Sequence, residues 1–185
     1  MLYQQFGDDY SIKHRYPSMK RWINHMTQTQ MVDYIMTKDE YGDWCMPPES
    51  PELIHSEDPA RKTNGQVLST AMFYSILNLM NKFAQLNDLP EDAKMYADLA
   101  IKMKDAYNKK FFNTNTAQYD NNTVTANLLS LRIGLVPEGY EDKVFSNVVT
   151  KTEIDCKGHV SAGVIGIQHL MRGLTQYGGL ELAYK

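Results

Sequence analysis

Two runs of helix-spaced apolar residues, joined by a short turn, set the strongest limit on how this chain can fold. Leu68, Met72, Ile76, Leu79, Met80 and Phe83 recur at three- and four-residue steps and predict one face of a helix. Asn87-Asp88 marks its end. Pro90-Glu91-Asp92 opens the next helix, with proline near the first position and acids where the dipole's positive end favours them. Met95, Leu99, Met103 and Ala106 line that second helix, and Lys109-Lys110 lie near its C-terminus. Long helices joined this tightly pack as an antiparallel hairpin.

The same periodicity runs through most of the chain. Ile12, Tyr16, Met19, Ile23 and Met26 predict a helix in the stretch from Ser11 to Met36, with its main part starting at Pro17. A polar turn from Asn113 to Asn122 leads to a helix over Thr125–Leu135, broken by Pro137-Glu138-Gly139. Val144, Phe145, Val148 and Val149 predict a further amphipathic helix, ended near Gly158. The last helices are expected from Ser161 to Leu174 and from Gly179 to the C-terminus. Two-residue alternation is nowhere sustained, so the expectation is an all-α chain of about seven helices. A helical-repeat solenoid and part of an α/α toroid both fit that count. No second copy of the 67–111 unit recurs at a fixed period, which favours the toroid.

Composition narrows the partners. The chain has 185 residues, 43% of them hydrophobic, and a formal net charge of −3, which gives no reason to expect nucleic acid or an anionic membrane. No apolar run approaches the roughly 20 residues that span a bilayer. The first residues, Met1 to Gly7, lack the basic leader and apolar stretch of a signal peptide and read as a helix end closing on glycine. That suggests a chain cut from something longer. The two cysteines, Cys45 and Cys156, make no metal motif and read as free thiols. No metal or other cofactor is expected.

One segment breaks the helical pattern. Lys38 to Lys62 holds Pro47, Pro48, Pro51 and Pro59, a Tyr41-Gly42-Asp43-Trp44 run and several acids, without periodicity. So long an irregular stretch in a compact domain is usually a functional loop or a linker. Within it a carboxylate stands beside an indole after a glycine turn. A tryptophan face suits the C–H surface of a sugar ring, and a neighbouring acid can bond hydroxyls. Equally, Trp44 could pack into the core while Asp43 caps a turn. The acids Glu49, Glu52, Glu57 and Asp58 read as solvated loop charges.

Five stretches in order carry a resemblance. They are Gly7-Asp8 with Tyr16-Pro17-Ser18-Met19-Lys20-Arg21-Trp22, Tyr41-Gly42-Asp43-Trp44 before the helix holding Ser69 to Ser75, and Ala106 to Phe112. Thr125-Ala126-Asn127 with Gly134-Leu135-Val136-Pro137-Glu138, and Gly158-His159-Val160-Ser161-Ala162-Gly163-Val164-Ile165-Gly166, complete the set. Together they resemble the middle of the catalytic domain of bacterial α-L-rhamnosidases, over nearly the whole chain.

The resemblance implies a partial (α/α)6 toroid over residues 1–185, with 38–62 as a loop on the active-site side. The parent would be a periplasmic or secreted glycosidase that releases terminal α-L-rhamnose through a paired acid and base. The family's motifs for that acid and base do not occur in this sequence, so no catalytic residue is assigned and the chain is expected to be inactive alone. Trp44 matches a tryptophan that contacts the rhamnose ring. Asp43 is expected to shape the same wall, and His159 is a third candidate, although a helix-cap or core role suits it as well. Val124 stands where many relatives have glutamine. The implied partners are a rhamnose-containing carbohydrate and the remainder of the parent polypeptide, and exposed helix faces would favour oligomers. The competing readings are another (α/α)6 glycosidase acting on uronic acids and a helical protein-binding scaffold.

Overall fold

Helix-spaced apolar residues become helices almost everywhere in the computed structural model, which describes residues 2–47 and 61–184. The order is α1 (Leu2–Phe6), α2 (Tyr10–Gln30), a hairpin of β1 (Met31–Val32) and β2 (Ile35–Met36), then α3 (Gly65–Leu86) and α4 (Pro90–Phe111). A second small hairpin, β3 (Phe112–Asn113) with β4 (Gln118–Tyr119), precedes α5 (Val124–Arg132), α6 (Glu141–Thr150), a π-helical turn (Lys151–Asp155), α7 (Ile167–Gln176) and α8 (Leu180–Tyr184). The all-helical expectation holds apart from the two antiparallel hairpins, each strand of which is two residues long.

The α3–α4 hairpin forms where the sequence places it. Asn64 caps α3 by accepting from the Gln66 amide at 2.8 Å, and Pro90 opens α4 with Glu91 and Asp92 in its first turn. Leu68 and Met80 of the expected α3 stripe and Met103 of the expected α4 stripe are buried, but Met72, Leu79 and Met95 are exposed. The inner faces are completed instead by Val67, Ala71, Phe73, Leu77 and Ala84 of α3 and by Ala93, Tyr96, Ala100 and Tyr107 of α4. Alanines thin these faces and tyrosine rings fill them, so a reading weighted towards Met and Leu finds only part of the stripe.

Helix α2 begins at Tyr10, seven residues before Pro17, and runs through the proline. An internal proline costs about 3 kcal/mol. Anchors next to it oppose that cost. Tyr16 is buried and its hydroxyl donates to Asp92 Oδ2 at 2.8 Å, while Lys20 Nζ donates to both Asp92 oxygens at 2.6 and 2.7 Å. The Lys20 ammonium and the Tyr16 hydroxyl hold the Asp92 carboxyl below its usual pKa, against the opposing effect of burial. The helix stops at Gln30, where Met31 turns extended, and the chain reverses at Asp33 and Tyr34, which both take positive φ in the two-residue turn that matches strand twist. Met36 N–H donates to Thr70 Oγ1 at 3.0 Å and docks this hairpin on α3.

Helix α5 sits at the centre of the second half. All of Val124 to Leu131 is buried, and Thr123 caps the helix by accepting from the Ala126 amide at 3.2 Å. Leu128, Leu129 and Leu131 each bury enough surface to stabilise the fold by about 1.5–3 kcal/mol. One core gathers around α5 from the ends of α3 and α4, α6 and α7; the other lies between α2, α3 and α4. The segment Ser161–Gly166, expected to begin a helix, is irregular, and α7 starts only at Ile167. Among the described residues no helix is long and apolar enough to cross a membrane.

Candidate functional site

The loop before α3 is built to hold one dipeptide in place. Asp39 Oδ1 accepts from the amides of Tyr41 and Gly42 at 2.9 and 3.2 Å and turns the chain. Gly42 has φ +63°, and a Cβ there would sit 2.2 Å from the Thr63 carbonyl oxygen, so glycine is required. The next amide, Asp43 N–H, donates to that same Thr63 oxygen at 3.1 Å. Thr63 is itself buried, with its hydroxyl 2.6 Å from that of Thr123 at the start of α5.

Asp43 is fully buried, and both its oxygens are occupied. Oδ1 accepts from the amides of Ile165 and Gly166 at 3.0 and 3.1 Å. Oδ2 accepts from the Gly163 amide at 2.8 Å and the Thr125 hydroxyl at 2.6 Å. Charged acceptors make the stronger hydrogen bonds, and four donors satisfy a carboxylate that burial would otherwise penalise. This explains why α7 starts late: the amides of the 163–166 turn point at a carboxylate instead of into a helix. Gly163 and Gly166 are needed for the approach, since a Cβ at either would come within 2.6 Å of a carboxylate oxygen. The expected bond from Asp43 to sugar hydroxyls is therefore corrected: the carboxylate is fully buried, and its oxygens are taken up by the 163–166 turn and Thr125.

Trp44 stands the other way. Its carbonyl accepts from the Val164 amide at 3.0 Å, so its backbone belongs to the same clasp, but the residue is 51% exposed. The alternative that packs Trp44 into the core is excluded. Cys45, at φ +55°, turns the chain away and is exposed; Cys156 is half-buried, and both are free thiols. Residues 48–60, with Pro48, Pro51, Pro59 and the acids from Glu49 to Asp58, lie outside the described residues.

His159 is exposed, so a core role is excluded, and its amide donates to the Cys156 carbonyl at 2.8 Å in a turn. It lies on the wall of a cavity of about 460 Å³, reached from Trp44 through Met46 and Pro47. Arg61, Lys151, Lys157 and Val124 also line it. Val124 contributes an apolar surface there. Among the described residues no cluster of three acids, histidines or cysteines could hold a metal.

Behind the clasp, Arg132 Nη1 lies 2.6 Å from His169 Nδ1. A guanidinium only donates, so the imidazole accepts there through the lone pair of its neutral form. Burial first, and then the Arg132 charge, hold the His169 pKa below its usual value, with Asp43 opposing. Thr125 and His169 carry no chemical signature in the sequence. Gly163 and Gly166, four and one positions before α7, were the available signal, because close backbone packing is a common reason for such glycines.

The comparisons agree with this architecture. The family described as the bacterial alpha-L-rhamnosidase six-hairpin glycosidase domain matches residues 1–185. An alpha-L-rhamnosidase of Formosa agariphila is 33% identical over 99% of this chain and 19% of its own length. One of Alteromonas sp. is 28% identical over 100% of this chain and 20% of its own. The chain thus spans about a fifth of the curated relatives it matches. The structure of alpha-L-rhamnosidase from Dictyoglumus thermophilum superposes with a TM-score of 0.85 and 31% identity, over 99% of this chain and 20% of that one. That of Streptomyces avermitilis alpha-L-rhamnosidase, complexed with L-rhamnose, gives 0.82 and 25%, over 99% and 16%. With these relatives the helical hairpins are those of part of an (α/α)6 toroid, and neither a protein-binding scaffold nor a different six-hairpin enzyme is favoured. The chain belongs to the bacterial α-L-rhamnosidase six-hairpin glycosidase domain family.

Proposed function

We propose that this chain supplies one wall of the sugar pocket in a larger glycosidase that releases terminal α-L-rhamnose. The observation that carries this reading is Trp44: a half-exposed indole whose own carbonyl, and whose neighbour's carboxylate, are fixed to the turn before α7. A flat apolar face carried on a backbone held this way can stack on the C–H face of a rhamnose ring with little loop ordering at binding. In this reading residues 1–185 are one partial domain, with 38–62 on the active-site side. His159 borders the same region, and the acid and base of an inverting hydrolysis come from the remainder of the parent polypeptide. Exposed apolar side chains such as Met72, Leu79, Met95 and Ile101 are the surfaces through which the isolated chain would self-associate.

Hydrolysis of an aryl α-L-rhamnoside, measured side by side for the full-length source protein and for this chain, tests the reading. Activity of the full-length protein alone is the expected result. Turnover by this chain would place the acid and base among its own residues, and an inactive full-length protein would remove the rhamnosidase reading.

A further inference from the structure

Arg132, at the end of α5, is charged, half-buried and short of acceptors. Its Nη1 meets the neutral His169 ring at 2.6 Å, but its Nε is buried with no hydrogen-bond partner among the described residues. An unbonded buried donor on a charged group is among the costliest arrangements a fold can carry. Arg172, three positions after His169 on α7, adds to the cost. Burial first, and then the Arg172 charge, hold Arg132 below its ordinary pKa. Among the described residues no carboxylate pairs with either guanidinium. The acid whose charge reaches His169 is Asp43, and its two oxygens already accept four hydrogen bonds.

Helix α7 presents this charge beside an apolar row. Ile167 and Met171, four positions apart, are 43% and 52% exposed, and the exposed Gln168 and Arg172 form the adjoining row. A surface of that kind is complementary to a helix with an apolar side and a carboxylate at its edge. A second copy of this chain docked through the same face would set its arginines against these, so like charges oppose a symmetric pairing. The chain spans about a fifth of the relatives it matches, and the parent polypeptide is the remaining source.

We propose that a segment of the parent polypeptide outside residues 1–185 packs on α7 and places an aspartate or glutamate between Arg132 and Arg172. The carboxylate accepts from both guanidinium groups, offsets their repulsion and gives the Arg132 side chain the acceptor it lacks. Because α7 follows directly on the turn clasped by Asp43, this contact ties the rest of the protein to the element that holds Trp44. The proposal rests on the chain being part of a larger protein, and not on which sugar that protein cleaves.

Carbodiimide cross-linking of the full-length source protein carrying Arg132→Lys tests it, because the reagent joins an amine to a carboxylate only where the two touch. Proteolysis and mass spectrometry should find position 132 joined to an acidic residue outside residues 1–185. No cross-link from position 132, or one confined to acids within residues 1–185, such as those from Glu49 to Asp58, would overturn the proposal. Arg132→Met in the same protein gives a second measurement, since it removes both the repulsion with Arg172 and the unbonded Nε. With the outside carboxylate in place its melting temperature should fall by about 2–4 °C. A melting temperature that holds or rises would overturn the proposal as well. The aryl rhamnoside assay reports separately on the rhamnosidase reading.

Discussion

Asp43 Oδ2 accepts a hydrogen bond from the Gly163 amide at 2.8 Å across 120 positions of sequence. Three more donors converge on the same carboxylate. Asp43→Asn keeps the shape but replaces one acceptor oxygen by a donor, facing groups that themselves donate. The expected loss is about 3 kcal/mol of unfolding free energy, the magnitude for breaking a buried charged network. Urea denaturation of the two proteins measures it, and a change under 1 kcal/mol would show the clasp to be incidental.

Gly163→Ala and Gly166→Ala should each destabilise by 2 kcal/mol or more, on the scale of overpacking costs of about 1–3 kcal/mol. The new methyl at 163 would sit 2.4 Å from the Trp44 carbonyl oxygen, and the one at 166 would sit 2.1 Å from Thr125 Oγ1. Thermal melts of both variants check this. Wild-type melting would mean that the turn relaxes freely around Asp43.

Trp44→Ala should behave in the opposite manner. The indole is half exposed, so stability should change by about 0.5 kcal/mol or less. In the full-length enzyme the loss of stacking, about 1 kcal/mol, should weaken rhamnoside turnover roughly fivefold or more. Unaltered kcat/KM would remove Trp44 from the pocket.

His169 gives the fold a pH dependence. Its folded pKa lies below the ordinary value near 6.5, so the unfolded state binds the extra proton first on acidification. The associated stability is present above about pH 6.5 and declines as pH falls towards the lower folded pKa. Urea midpoints measured between pH 7.5 and about pH 5 should fall, and His169→Gln should flatten that slope.

The hairpin of α3 and α4 could be read directly, because caps, turn and apolar spacing agree there. Its inner face could be read only in part: Leu68, Met80 and Met103 are buried, but tyrosines and alanines bury as readily as the Met and Leu that dominate a hydropathy reading. The run through Pro17 was hidden because its compensation, Tyr16 and Lys20 on Asp92, comes from a helix some seventy residues away. The importance of Tyr41 to Trp44 was legible, as was the contribution of the Gly158–Gly166 stretch. Their joining was not. Nothing in the local chemistry of Asp43 distinguishes a carboxylate aimed at a sugar from one aimed at three amides and a hydroxyl.

The Asp43 clasp also orders events in time. The α3–α4 hairpin closes on itself through nearby residues, whereas the bonds from Asp43 to Gly163 and Gly166 wait until most of the chain has been gathered. Closing so long a loop carries an entropic cost that contacts formed afterwards must recover. The surface presenting Trp44 is therefore expected to assemble late, after the helices on either side of it.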